Sequence, residues 1–279
     1  MKAERLAVVF GGGGVKAAAH AGAWRAILEA GLSPRHLFGT SMGAVIAACF
    51  AGGLSFEDLV ARMATVTQDS VAHPRKLIGL RGLTLPSLFD PEPLRATIAR
   101  LVPATRFDEL KLPVTVTAVD IDTGALQLFG AGGRDVPLVD ALLASCSLPV
   151  FYPPVEIDGH RLVDGGLRAV LPLGPAAEVN ADLVIAVDTG PGFDEVRAPA
   201  NAMPALLSAH NDSTGILMAN NCQQDLALWR ATPGRPPLIY VRPKVDRNVT
   251  FRVDLAGKYA EEGYRATKEK LAENTEKSV

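Results

Sequence analysis

The segment LAVVFGGGGVKAAAHAGAWRAILEAG, Leu6 to Gly31, decides the fold. Leu6 to Phe10 is a continuous apolar run with a β-branched pair, the pattern of a buried strand, and four glycines stop it abruptly. Val15, Ala18, Ala19, Gly22, Ala26 and Ile27 then recur at three- and four-residue spacing, which predicts a helix over Val15 to Ala30 with Gly31 as its stop. A second strand is expected over Arg35 to Gly39, followed by Thr40-Ser41-Met42-Gly43 and a small-residue helix to about Ala51. This β-α-β-α order implies parallel strands joined by covering helices. The expected architecture is a single α/β domain over residues 5–275, three-layer α/β/α, with a mostly parallel central sheet.

Downstream, Ser55-Phe56-Glu57-Asp58 reads as a capping box, and Asp90-Pro91 supplies an N-cap and an N1 proline for a helix over Leu94 to Leu101. Between them, Gln68 to Phe89 carries two glycines and two prolines and reads as an irregular insertion, a lid. Pro113 to Ile121 alternates as a strand, Ala125 to Phe129 returns beside it, and Val155 to Val163 is a hairpin around Asp158-Gly159. Leu183 to Val187 and Leu238 to Val241 are further strands, Gly190 to Pro199 is a loop, and Met203 to Trp229 and Asp254 to Glu273 are long helices.

The 279 residues carry Lys+Arg 28 against Asp+Glu 30, scattered, so there is no electrostatic case for a nucleic-acid partner. Cys49, Cys146 and Cys222 are far apart and odd in number, which excludes a zinc ribbon or disulfide framework and fits a reducing compartment. The five apolar residues before the glycines are too few for a secretory signal, and no apolar run approaches the roughly 20 residues of a membrane span. A cytoplasmic protein, with at most transient peripheral contact with a membrane surface, is expected. Its oligomeric state has no sequence signal.

Two glycine motifs carry chemistry. Gly39-Thr40-Ser41-Met42-Gly43 matches G-x-S-x-G between a predicted strand and helix, where a tight turn lifts a serine hydroxyl above the sheet edge. Ser41 is a nucleophile on that reading and a plain helix N-cap on the other, with equal weight. Gly11 to Gly14 followed by Val15-Lys16 lets the backbone approach a ligand and present several N–H donors to one anion. A phosphate loop of the form G-x-x-x-x-G-K-[ST] fails because Ala17 follows Lys16. A dinucleotide fingerprint is formally met by Gly12, Gly14 and Ala17, yet the second strand lacks the acid that holds ribose. An oxyanion hole facing Ser41 accounts for both motifs at once, against the plainer reading of a glycine turn for tight packing.

A serine nucleophile needs a base. Of five histidines, only His210 follows an acid in the Ser…Asp…His chain order, and nothing around it resembles a positioned loop histidine. Attention passes to Asp164 in Val163-Asp164-Gly165-Gly166, a strand-end acid, whose alternative is a turn aspartate bonded to its own backbone. Asp120 and Asp122 lack a third ligand for a metal and read as solvated strand-end acids; no metal or organic cofactor is expected. Met42, Cys49 and Phe50 read as core, with Met42 also placed to line an acyl pocket.

With these residues in view, the chain resembles a bacterial member of the patatin-like phospholipase family. The likeness rests on three ordered blocks, Gly11 to Lys16, Gly39 to Gly43 and Asp164 to Gly166, with Ala144-Ser145-Cys146-Ser147-Leu148-Pro149 and Pro153-Pro154-Val155 adding to it over roughly Leu6 to Val187. Ala17 departs from the family's usual glycine and bears on the backbone approach there. The resemblance implies a patatin-like fold and a Ser41–Asp164 dyad that cleaves lipid acyl esters, with Gly12, Gly13 and Gly14 holding the oxyanion. Lys16 either supports the oxyanion or is a solvated first-turn lysine. Two other classes stay open, a non-catalytic phosphate- or nucleotide-binding module and a degenerate regulatory patatin-like scaffold.

Overall fold

The computed structural model describes residues 3–75, 87–194, 196–197, 205–247 and 249–276. The opening segment forms β1 (Leu6–Phe10), a 3-10 turn (Gly14–Ala18) and α1 (Ala19–Glu29), so the expected single helix begins as a tighter turn. β2 (Pro34–Thr40) leads into α2 (Met42–Ala51). Then come α3 (Phe56–Met63), α4 (Gln68–Val71) and α5 (Pro91–Leu101), the last capped by Asp90, whose carboxylate accepts the Glu92 N–H at 3.1 Å. β3 (Val114–Asp120), β4 (Leu126–Gly130), α6 (Leu138–Cys146), β5 (Val155–Ile157) and β6 (His160–Asp164) follow. The chain continues through α7 (Gly166–Ala169), α8 (Leu173–Ala176), β7 (Leu183–Val187) and β8 (Val196–Arg197). α9 (Ala205–Ala231), β9 (Leu238–Val241), β10 (Asp246–Arg247) and α10 (Ala256–Glu276) complete it.

The main sheet has eight strands in the order β5-β6-β3-β2-β1-β7-β9, with β4 also paired to β3. Its centre is parallel: β1 pairs β2 and β7, β2 pairs β3 and β7 pairs β9, while β4, β5 and β6 add antiparallel pairs. Period-two alternation along buried strands divides the core in two. Leu6, Val8 and Phe10 join Ile185, Val187 and residues of α1, α2, α5 and α6 on one face. Ala7 and Val9 join Val184, Ala186 and Cys222, Leu226 and Trp229 of α9 on the other. This is the three-layer α/β/α arrangement. Each buried Val, Leu or Phe contributes about 1.5–3 kcal/mol of apolar transfer, so Val8→Asp would break both strand and layer.

α10 docks on α1 at helix-backbone contact. A Cβ on Gly22 would meet the Ala260 carbonyl oxygen at 1.8 Å, and one on Gly263 would meet that of Ala19 at 1.9 Å. The charged tail is therefore solvated on one side only, with Tyr259 and Thr267 buried. Of the Gln68 to Phe89 insertion the structure describes the neck, where Pro74 bridges Phe89 and Arg75 N–H bonds the Leu88 carbonyl at 2.9 Å; 76–86 lie outside the described residues.

Candidate active site

The C-terminal ends of the parallel strands carry the site. Ser41, directly after β2, has φ 55° and ψ −134°, a strained conformation for a residue with a side chain. Glycine is required on both sides of this turn. A Cβ on Gly39 would stand 2.3 Å from the Ala44 Cα, and one on Gly43 would stand 2.5 Å from the Phe10 and Gly11 carbonyl oxygens. Ser41 occupies the N-cap position of α2, but its hydroxyl makes no capping bond. It donates instead to Asp164 Oδ2 at 2.7 Å, across 123 residues of chain.

Asp164 ends β6, and its Oδ1 accepts the Gly166 N–H at 2.7 Å, so the turn-aspartate role and the serine contact coexist in one carboxylate. Gly165 permits the turn, since a Cβ there would meet Thr117 Oγ1 at 2.4 Å. Asp164 is 5 % exposed, and burial raises its pKa from 3.8 to about 6 against the lowering effect of the Gly166 and Ser41 hydrogen bonds. A carboxylate with that value accepts a hydroxyl proton far more readily than a solvated one.

The glycine loop lies against the serine, with the Cβ position of Gly12 3.4 Å from Ser41 Cβ. Gly12 corrects the expectation of three oxyanion donors: its N–H donates to the Val170 carbonyl at 2.8 Å. The N–H groups of Gly13 and Gly14 donate to no acceptor among the described residues, which narrows the candidate donors to two. Gly13 and Gly14 cannot carry side chains here; a Cβ would meet Thr189 O at 2.4 Å and Thr250 O at 2.5 Å. Lys16 is not a solvated lysine. It is 5 % exposed, and its ammonium donates to the Gly190 carbonyl at 3.3 Å. Ala17 is buried in the 3-10 turn and lacks a positive φ, so alanine fits there without strain.

Residues that sequence reasoning missed hold this geometry. Ser145 Oγ, fully buried, accepts the Ser41 N–H at 2.8 Å, and the Ser147 carbonyl accepts the Asp164 N–H at 3.0 Å, so one helix end fixes both partners. Asp188 and Arg242 form a buried ion pair at 3.1 Å, and Arg242 also donates to the Gly190 carbonyl at 2.9 Å. Their common loop carries Thr189, which packs on Gly13. Asp188 had a readable signal: like Asp164, it ends an apolar strand. Ser145 had one only in its place beside the Cys146-Ser147-Leu148-Pro149 block.

His20 is fully buried, with Nε2 2.7 Å from the Gly11 carbonyl oxygen, and desolvation lowers its pKa to about 4. Asp120 is buried rather than solvated; its Oδ1 accepts the Asp122 and Thr123 N–H groups and its Oδ2 pairs with His160 at 2.7 Å. No cluster of three or more metal-ligating side chains occurs among the described residues.

Ser41 and Asp164 open on a cavity of about 200 Å³ whose walls include Gly12 to Gly14, Lys16, Met42 and Cys146. None of the described residues that line it is a histidine, and His210 lies on α9 outside the lining. Among the described residues, no helix is long and apolar enough to cross a membrane.

An α/β sheet whose strained strand-to-helix turn sets a serine hydroxyl on a buried carboxylate, beside a glycine loop, defines the class. The chain belongs to the patatin-like phospholipase family, whose model matches residues 8–177 and so takes in the loop, Ser41 and Asp164. An uncharacterised NTE family protein of Mycobacterium tuberculosis is 34 % identical over 205 residues, covering 68 % of this chain and 52 % of that protein. Human patatin-like phospholipase domain-containing protein 6 is 32 % identical over 191 residues, covering 66 % of this chain and 13 % of that one. The chain thus spans about half the length, or much less, of these relatives. Among solved structures, VipD of Legionella pneumophila aligns over 98 % of this chain and 67 % of its own at 12 % identity and a TM-score of 0.49.

Proposed function

We propose that the chain hydrolyses carboxylic acyl esters of lipids through an acyl-enzyme on Ser41, with Asp164 as the base. The observation that carries this reading is the 2.7 Å hydrogen bond from the Ser41 hydroxyl to a buried carboxylate in an apolar-walled cavity. Ser41 Oγ attacks the acyl carbonyl while its proton passes to Asp164. The oxyanion of the tetrahedral intermediate accepts the Gly13 and Gly14 N–H groups, each worth on the order of 3 kcal/mol of barrier. Collapse expels the alcohol, which takes the proton back from Asp164. Water then attacks the acyl-enzyme, again losing its proton to Asp164; the bond from Ser41 Oγ to the acyl carbon breaks, Oγ takes the proton back from Asp164, and the free acid leaves.

Lys16 serves as an anchor that ties the turn after the glycine loop to Gly190. Met42, directly after the nucleophile, lines the acyl side of the cavity. The proposed setting is the cytoplasmic surface of a lipid aggregate or membrane, with the Gln68 to Phe89 insertion acting as a lid. The test is hydrolysis of a graded series of acyl esters by the native chain, Ser41→Ala and Asp164→Asn. Turnover confined to the native chain is expected; turnover that survives Ser41→Ala would refute the mechanism.

A further inference from the structure

The residue before the nucleophile is buried and hydrogen-bonded on two sides. Thr40 ends β2, and its hydroxyl donates to the Ala169 carbonyl at 2.7 Å. That proton is the only one Thr40 Oγ1 has, so in its 2.7 Å contact with Thr117 Oγ1 of β3 the donor is Thr117. Period-two alternation sets up this contact, because Thr40 and Thr117 are register partners on parallel strands and Thr40 shares the sheet face of Phe38. The methyl of Thr40 faces the glycine loop, 3.5 Å from the Cβ position of Gly12.

The acceptor belongs to α7, the single turn that follows Asp164, and both ends of α7 are tied to the site. At its start the Gly166 N–H donates to Asp164 Oδ1 at 2.7 Å. At its end the Ala169 carbonyl takes the Thr40 hydroxyl, and the next carbonyl, that of Val170, takes the Gly12 N–H at 2.8 Å. A one-turn helix leaves such carbonyls without partners of its own, so β2 and the glycine loop supply them. Gly165 closes the arrangement, with its Cβ position 2.4 Å from Thr117 Oγ1.

Building on the Ser41–Asp164 reading, we propose that Thr40 is a positioning residue for the dyad. The hydroxyl chain from Thr117 through Thr40 to Ala169 ties the turn that follows the base to the strand that carries the nucleophile. Without the Thr40 hydroxyl, the Ala169 carbonyl is a buried acceptor that has lost its donor, and α7 shifts to find another, taking Gly166 and the Asp164 carboxylate with it. A displacement of about 1 Å between reacting groups costs about a hundredfold in rate.

Two substitutions separate the hydroxyl from the shape of the side chain. Thr40→Val keeps the branched carbon and loses the donor; Thr40→Ser keeps the donor and loses the methyl. Turnover of p-nitrophenyl butanoate is measured on variants shown by urea unfolding to be folded. Thr40→Val should lower kcat about a hundredfold with KM little changed, and Thr40→Ser should stay within about fivefold of the native chain. The second arm is a double-mutant cycle with Asp164→Asn, read as the rate of labelling by an alkyl fluorophosphonate. Because Thr40 acts through the base, Thr40→Val should slow labelling of the native chain and slow Asp164→Asn no further. If Thr40→Val does not fold, Thr117→Ala takes its place in both arms, with Thr117→Ser as the rescue; it removes the donor that orients the Thr40 proton, and a smaller loss is expected. Native-like kcat in folded Thr40→Val, equal losses in Thr40→Val and Thr40→Ser, or a full further slowing on Asp164→Asn would overturn the proposal while leaving the serine reading intact. Labelling of Asp164→Asn at the native rate would instead refute the reading on which the proposal rests.

Discussion

Replacing Asp164 by asparagine should move stability and turnover in opposite directions. The carboxylate is 5 % exposed, and burial lifts its pKa from 3.8 to about 6. Between those values the unfolded chain has released a proton that the folded chain still holds, so stability falls as pH rises through the interval. At 1.36 kcal/mol per pH unit, the ionised group costs the native state up to about 3 kcal/mol at neutral pH, and nothing below the unfolded value. Asparagine keeps an oxygen for the Gly166 N–H and turns its amide toward Ser41, so it carries no such cost. Urea unfolding should therefore find Asp164→Asn more stable than the native chain by up to about 3 kcal/mol near pH 8, with the gap closing near pH 4. Its kcat/KM should fall at least about a thousandfold, because the proton acceptor is gone. In the native chain, kcat/KM should climb with pH and level off above about 6. An asparagine variant that is less stable than the native chain near pH 8, or a pH profile flat down to about 4, would refute the reasoning about a desolvated base.

Gly13→Ala would drive a Cβ to 2.4 Å from Thr189 O and displace a candidate oxyanion donor; kcat should drop about a hundredfold or more with KM little changed in steady-state assays. Ser145→Ala strands the buried Ser41 N–H, and calorimetry should register a loss of about 1–3 kcal/mol together with a lower kcat. Arg242→Met leaves Asp188 without its buried cation, and urea unfolding should show a loss of about 3–5 kcal/mol, with the loop against Gly13 loosened. His20, held neutral by burial to a pKa of about 4 against an ordinary 6.5, contributes stability that is present above 6.5 and lost as pH falls toward 4. His20→Gln should remove that acid-side slope from the pH dependence of urea unfolding.

The strands β1 and β7, buried on both faces, were legible because nothing competes with their apolar runs, and the half-buried edge strand β9 also falls on the predicted bounds. The two turns that carry Ser41 and Asp164 were marked by Gly39, Gly43 and Gly165, where the packing leaves no room for a side chain, while the pairing of the two residues came only through the family resemblance. The inward turn of Lys16 was not, because the 3-10 turn after Gly13 rotates it away from the solvent face that a regular helix would give it. Gly12's engagement with Val170 was equally hidden, since it depends on where α7 ends relative to β1. Ser145 and Arg242 act through contacts 104 and 54 residues away in the chain, and local pattern carries no record of such distances.

The central claim is that Asp164 activates Ser41, and intact-mass analysis after treatment with an alkyl fluorophosphonate tests it most directly. A single adduct on the native chain, absent from Ser41→Ala and strongly slowed in Asp164→Asn, is the predicted result. Equal labelling of the native chain and Ser41→Ala, or no labelling of folded native protein with detergent present, would contradict it.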